Sequence, residues 1–447
     1  MNVGESRLGK YIVLRPQGRL DDTTSGEFQA RLVEALSRDL ADIILDFAAV
    51  NYISSAGLRA LITATRVKPA GRLIAVAAID PVVREVFTIS RLHDVIPLFS
   101  SVTAAAASWD NASQPRVRQA RAESATSVVP VRFWGTRGSL SAPLAHRAVR
   151  GKIRDALLAA QGRGAMTPQE IDDFIERELP FAVSGTFGGN TSCVEIGTAG
   201  DEYLLCDLGT GVREFGNRLM AEKGPAVPHC FNVFLSHVHW DHIMGFPFFA
   251  PAYIPGNRIR IHGCHKVLRE ALLRQQSAPC FPVPFDSLGA TIEFVELEPG
   301  VDYQVAGFSV SAIRQFHEGE SYGYRFARDG KTIVYSTDCE HKTTVLDDSY
   351  PFVQFFRDAD LLIFDSMYSL AEAVSVKEDW GHSSNIIAVE LAQLARAKRL
   401  VLFHHEPAYD DARIERVLSE TIRYEEISRD DHKVEVISAY DGLELLV

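Results

Sequence analysis

Short apolar runs alternate with stretches of helical periodicity through the first hundred residues. Tyr11-Ile-Val-Leu14 reads as a strand, followed by a turn at Pro16-Gln-Gly-Arg-Leu20. Phe28, Leu32, Val33 and Leu36 fall on one helix face, with N-caps available in Asp21-Asp-Thr-Thr-Ser25. Ile43-Ile-Leu-Asp-Phe47 is nearly continuously apolar, as in a strand covered by other layers. Ser54-Ser-Ala-Gly57 opens a helix from Leu58 to Val67, and Arg72-Leu-Ile-Ala-Val76 is the next strand. Pro81 opens a short helix, and Leu92 to Leu98 closes the unit. This alternation predicts an α/β domain over residues 1–108.

The apolar rhythm then stops. Residues 109–129 are rich in Ala, Ser, Gln and Arg and show no period, so they read as a linker. A linker of that length lets the flanking domains move independently, which points to control by recruitment. The pattern resumes at Val131-Arg-Phe-Trp134 and defines a second domain, 130–447. Strands are predicted at Phe187–Val194, Glu202–Leu208, Phe231–Leu235, Arg258–His262, Thr291–Leu297, Phe308–Phe316, Thr332–Tyr335, Leu361–Phe364 and Arg399–Phe403. Residues 144–180 interrupt them as a helical insertion. Within it, Thr167-Pro-Gln-Glu170 is a capping box with Pro in the first turn. Further helices are predicted over Val212–Met220, Lys266–Gln275 and Asn385–Ala395, the last opened by Gly381-His-Ser-Ser384.

Charge separates the two halves. The chain of 447 residues carries a net −12, yet residues 1–110 are neutral and 131–447 carry −14. A domain that acidic is a poor platform for long polyanions, which disfavours nucleic acid as a partner. No apolar run approaches ~18 residues, so no membrane span is expected. The first twenty residues lack the apolar core of an export signal, and six scattered cysteines without a Cys-x-x-Cys pair suit the cytoplasm.

The densest chemistry lies just after Phe231–Leu235. His237, His239, Asp241 and His242 offer imidazole and carboxylate, the ligands of Zn²⁺, Mn²⁺ or Fe²⁺. Alternation puts His237 and His239 on one side of an extended segment, while Asp241 and His242 turn toward a neighbouring position. Ligands fanned this way suit two divalent ions better than one. His317, Asp338 and His404 each follow a predicted strand, so the topology can bring them to the same edge. His405 should point away from its neighbour. His262, His265 and His341 stand alone as structural histidines. Phe246-Pro-Phe-Phe249 and Tyr253 read as a hydrophobic wall or a homodimer contact, with stacking on a base as the alternative.

Two family resemblances rest on these residues. Gly18-Arg-Leu-Asp21, Leu45-Asp-Phe47 and Tyr52-Ile-Ser-Ser-Ala-Gly-Leu-Arg59 resemble the STAS domain of anti-sigma factor antagonists. The resemblance implies phosphorylation of Ser55, or of Ser54, by an anti-sigma-type serine kinase, reversed by a phosphatase. The helix start suits a phosphate because free N–H groups and the positive helix end favour an anion. The alternative is that Ser54 simply caps the helix.

His237-Val-His-Trp-Asp-His242 resembles the signature of the metallo-β-lactamase fold, an αββα sandwich. That resemblance implies one metal on His237, His239 and His317, a second on Asp241, His242 and His404, and Asp338 bridging them. Asp207 matches a supporting position. Gly135-Thr-Arg-Gly-Ser139, Gly189-Asn-Thr-Ser192, Tyr322-Gly-Tyr-Arg325 and Gly381-His-Ser-Ser384 resemble ribonuclease Z and the small-molecule cyclic phosphodiesterases. The expected function is therefore a dinuclear-metal phosphodiesterase acting on a small cyclic phosphodiester. Zinc is the first choice of metal, with manganese or iron as alternatives. Asp241 and His382 are the expected catalytic residues, His382 as general acid. Arg137 and Asn190 are candidates for phosphate contact. A ribonuclease Z-like RNA endonuclease, another metallo-hydrolase, and a non-catalytic signalling or binding protein are the competing readings.

Overall fold

The computed structural model describes residues 2–8, 11–38, 41–67, 74–90, 92–94, 96–107, 128–225, 227–341, 347–373, 377 and 379–447. The expected linker lies outside the described residues, apart from 128 and 129.

Among the described residues the N-terminal unit is built on one six-stranded sheet. Tyr11–Leu20, Ile43–Asp46, Ile74–Ala77 and Leu98–Phe99 run parallel in that order. Asn2–Leu8 adds an antiparallel edge, and Val50–Ile53 pairs with the far end of Tyr11–Leu20. Neither of these last strands is evident from hydropathy. Asn2–Leu8 needs only backbone pairing along an edge, and four of its residues are polar or glycine in a row. Helices Ser25–Arg38, Ser55–Val67 and Pro81–Ile89 close over the sheet, burying Phe28, Leu32, Leu61, Val86 and Phe87.

The second unit contains two seven-stranded sheets. One runs Thr291–Glu296, Arg258–Gly263, Cys230–Phe234, Glu202–Cys206, Cys193–Ile196, Pro130–Gly135, Glu444–Leu446. The other runs Tyr303–Val305, Phe308–Arg314, Tyr322–Arg328, Lys331–Ser336, Leu361–Asp365, Arg399–Phe403, Glu435–Ser438. Phe133, Val194, Phe234, Tyr324, Phe326, Ile363 and Phe403 fill the space between them. Helix Gly211–Lys223 covers the outer face of the first sheet, and helices Asn385–Leu394 and Asp411–Ser428 cover the second. The layering is the expected αββα.

The insertion folds as helices His146–Ala159 and Pro168–Arg177, and the Thr167–Glu170 capping box forms as read. Phe187–Val194 corrects one expectation, because the strand begins only at Cys193. Gly188 takes a left-handed φ of 92°, and the N–H groups of Gly189 and Asn190 donate to the Asp441 carboxylate at 3.0 and 2.9 Å. Those bonds replace a sheet ladder with a loop.

The expectation of independent domains also meets a difference. Leu61, Val86 and Phe87 of the first unit share one buried cluster with Phe352, Ile387, Leu391 and Tyr424 of the second. Helix Asp411–Ser428 packs against helix Pro81–Ile89, where Arg423 Nε sits 2.7 Å from Glu85 Oε1. Apolar burial of this kind holds the units together more firmly than a tether would.

Candidate metal centre

Parallel strands deliver polar side chains to their C-terminal ends, and seven candidate ligands collect there. His237 follows strand Cys230–Phe234, Asp338 follows Lys331–Ser336, and His404 follows Arg399–Phe403. Asp207, Asp338 and His404 all sit in left-handed backbone, with φ of 62°, 46° and 60°. For a residue with a Cβ that conformation costs roughly 1–2 kcal/mol. It turns each side chain off the strand line and into the site.

Four overlapping groups of ligand atoms result among the described residues, two of them made of the expected ligands and two that include His382, with His317 and Asp338 in one and with Asp365 and His404 in the other. Of the first two, His237, His239 and His317 form one, and Asp241, His242, Asp338 and His404 the other, each with its atoms within 4.8 Å. Asp338 faces both. Its Oδ1 is 3.2 Å from His242 Nε2 and from His404 Nε2, while its Oδ2 is 3.6 Å from His237 Nε2 and 3.8 Å from His317 Nε2. Asp241 Oδ2 lies 3.1 Å from His242 Nε2 and 3.2 Å from His404 Nε2.

The donor set fits divalent ions. His239 Nδ1 is 3.0 Å from His237 Nε2 and 3.1 Å from His317 Nε2. An imidazole nitrogen carries one hydrogen or one lone pair. Three such atoms aimed at one spot are better satisfied by a cation than by each other.

The outer partners orient the rings. His242 Nδ1 is 2.7 Å from Asp207 Oδ2, which also accepts from Tyr335 and Ser236 hydroxyls at 2.7 Å each. His317 Nδ1 lies 2.9 Å from the Gly381 carbonyl. Ser139 N–H donates to Asp241 Oδ2 at 2.7 Å. Burial alone would raise the Asp338 carboxyl, but His404, His242 and His237 outweigh it and hold the group well below the carboxylate range. Burial would raise Asp241 too, and His242 overrides it downward. Burial pulls His237 down, whereas on His242 it is outweighed by Asp241, Asp338 and Asp207, which push that ring up.

His382 stands over the second group, its ring 5.0 Å from His404 and nearly parallel to it. Its Nδ1 is 2.8 Å from Asp365 Oδ2. Burial lowers its pKa, and Asp365 more than compensates, raising it to about 9. Asp365 is the partner that sequence reading missed. Its position at the end of strand Leu361–Asp365 matches that of Asp207 and Asp338 and was the available signal.

Other residues fall elsewhere. Arg137 is a correction. It is only 2% exposed, and its guanidinium donates to the carbonyls of Gly188, Glu406 and Tyr409 at 2.9, 3.2 and 2.7 Å. It ties loops behind the site and presents no free donor face to a substrate. Asn190 lines a cavity with Ser141, Thr210 and Phe248. Phe246 and Phe249 are fully buried in the wall, and Tyr253 donates to the Pro247 carbonyl at 2.6 Å. His405 Nε2 binds the Ala439 carbonyl at 2.9 Å, pointing away from the cluster. His262 stacks on Phe234, and His341 Nδ1 pairs with the Tyr350 hydroxyl at 2.8 Å. Ser54 Oγ is buried without a hydrogen-bond partner, so it does not cap the helix, and Ser55 is buried against Glu390.

Histidines and aspartates gathered at one strand edge of an αββα sandwich define a metal-dependent hydrolase. Comparison with known proteins agrees. Residues 202–405 match the family described as a beta-lactamase superfamily domain, and residues 6–105 match the STAS domain. Ribonuclease Z of Thermoplasma acidophilum is 25% identical over 273 residues, covering 49% of this chain and 82% of that protein. Ribonuclease Z of Methanosarcina acetivorans is 27% identical over 310 residues, covering 57% and 92%. BtrV of Bordetella bronchiseptica, named as an anti-sigma factor antagonist, is 32% identical over 113 residues, covering 25% and 97%. The chain therefore carries a STAS domain over residues 6–105 and a metallo-β-lactamase-fold domain over residues 202–405.

Proposed function

We propose that the chain is a cytoplasmic dinuclear-metal phosphodiesterase for a small, cyclic phosphodiester, regulated through phosphorylation of its STAS domain at Ser55. The observation that carries this reading is Asp338, whose two carboxylate oxygens face separate ligand groups, with His382 beside them. His237, His239 and His317 would hold one ion, Asp241, His242 and His404 the other, with Asp338 shared. Divalent ions there, zinc foremost, supply Lewis acidity toward a phosphoryl group and toward an attacking water.

The chain's own groups do the rest. Asp207, Ser236 and the Gly381 carbonyl fix the ring orientations, so the site is organised before substrate arrives. Asp365 binds His382 Nδ1 and leaves Nε2 to give a proton to the leaving oxygen. Asp241 is both ligand and catalytic carboxylate.

A cavity of about 450 Å³ lined by Ser141, Asn190, Thr210, Arg213 and Phe248, none of them a candidate metal ligand, has room for a small substrate. Asn190 remains the candidate for substrate contact, and the Phe248 ring, 59% exposed, suits a nucleobase. The net −14 of residues 131–447 supports the same choice. A second reading, an RNA endonuclease, is favoured by relatives named ribonuclease Z. Metal-loaded protein should be tested against cyclic mononucleotides, cyclic dinucleotides, cyclic ribose phosphate and transfer-RNA precursors. Turnover of a cyclic compound supports the first reading. Cleavage of the precursors alone replaces it with the second, and inactivity on all, bis-p-nitrophenyl phosphate included, overturns both.

A further inference from the structure

The helix start carrying Ser55 is not open to solvent. Ser55 is 5% exposed, and what covers it belongs to the hydrolase domain. Ser55 N–H donates to Glu390 Oε1 at 2.9 Å, and Ser55 Oγ donates to Glu390 Oε2. The Glu390 carboxylate also accepts from the Tyr424 hydroxyl at 2.6 Å. One carboxylate thus binds both groups that a Ser at a helix N-terminus can offer an anion. Glu390 stands where a ligand of that helix end would stand.

Neighbouring contacts extend the interface. Arg59 Nη2, one turn on, donates to the His341 carbonyl at 2.8 Å. Arg423 pairs with Glu85, and Ala371 N–H donates to the Ser90 carbonyl at 3.3 Å. Glu390 lies on helix Asn385–Leu394, which the Ser384 side chain caps two residues after His382. The helix that latches the STAS domain is therefore the one that begins three residues after the proposed general acid.

The geometry points to Glu390 as an intramolecular latch: it occupies the anion-binding helix end at Ser55, and negative charge on Ser55 expels it and parts the two domains. This rests on the proposed phosphorylation of Ser55. There the terminal phosphoryl of ATP passes to Ser55 Oγ, ADP leaves, and the hydroxyl proton passes to the kinase. The product loses the Oγ–H that Glu390 accepts and sets about −1.5 to −2 charges against a carboxylate. No rearrangement within the buried pair satisfies two anions. The docked form also hides Ser55, so a kinase acts on the opened chain, and its docking competes with the hydrolase domain for one face. Control is then an exchange of partners, in which the enzyme's own helix is one.

The test is hydrogen exchange on the full-length, metal-loaded chain. Ser55→Asp should speed exchange at amides of 55–61 and 385–394 by ~10- to 10²-fold, the scale set by losing a hydrogen bond to a charged group. Ser55→Asp with Glu390→Lys should return the rates to near wild type, because an ion pair replaces the repulsion. Glu390→Gln alone, which keeps the shape and removes the charge, should open the interface by a smaller factor and serves if Ser55→Asp fails to fold. Unchanged exchange in Ser55→Asp or in Glu390→Gln overturns the latch. So does failure of Glu390→Lys to rescue a folded Ser55→Asp chain. Phosphopeptide mass spectrometry of Glu390→Gln purified from its native host separates the underlying reading. Absence of phosphate on Ser55 there overturns the phosphorylation reading alone, since the exchange data judge the latch independently.

Discussion

Gly381→Ala places a methyl group where the structure has none to spare. Gly381 has φ of 80°, and a Cβ built on it would lie 2.1 Å from His317 Nδ1. An ordinary contact is roughly 3.5 Å, so the ring and the loop must separate by more than about 1 Å. The Nδ1 bond to the Gly381 carbonyl, 2.9 Å in the native chain, is lost in the same movement. Ligand distances tolerate only about 0.2 Å of error. Losing an orienting partner typically costs ~10- to 10²-fold in metal affinity, or about 1.4–2.8 kcal/mol. The left-handed backbone adds roughly 1–2 kcal/mol of destabilisation. The loss should be confined to the ion on His237, His239 and His317. Asp241, His242 and His404 are separate from the clash, so metal content should fall from about two ions per chain toward about one. Elemental analysis after dialysis against a zinc buffer reads the stoichiometry, and denaturation of the metal-free form reads the strain. Two ions retained with native affinity would refute the argument that His317 is a ligand held by that carbonyl.

Asp338→Ala should lose both ions, because each oxygen of that carboxylate faces a different group; retention of one tightly held ion argues against a bridge. His382→Ala should keep its metal content and lose ~10²-fold or more on substrates with poor leaving groups, but far less on p-nitrophenyl esters. Equal losses on both would remove His382 from the acid role. Arg137→Met should lower stability by ~2–3 kcal/mol in thermal or urea unfolding, since three buried carbonyls lose a charged donor, while KM stays unchanged. A raised KM with native stability would return Arg137 to the substrate.

The clustering of the candidate ligands was legible because they carry both a type and a place. His237 to His242 is a local pattern, and His317, Asp338 and His404 each terminate an apolar run. Asp365 ends such a run too, but nothing local marks it as the partner of His382. Arg137 misled because a loop arginine near glycines suggests phosphate, whereas its fate depends on carbonyls contributed from Glu406 and Tyr409. The C-terminal helix Asp411–Ser428 was missed. Ile414, Val417, Leu418, Ile422 and Ile427 keep a helical spacing there, and part of what the helix buries comes from another domain. The Ser55–Glu390 pair spans 335 positions and joins a motif serine to a glutamate that reads as an ordinary surface residue. No period or motif links them. Only packing does.

The left-handed backbone at Asp207, Asp338 and His404 sets stability against chemistry at three defined places. Glycine at any of them relieves strain, and asparagine tolerates the same conformation. A laboratory selection for thermal resistance that ignores turnover will therefore drift toward Gly or Asn at these positions. Homologues that have abandoned hydrolysis and kept only the docking surface should carry the same replacements. Glycine at 338 and 404 with an intact Ser55 and Glu390 would be the mark of a chain whose metal site has been retired while its latch is still in use.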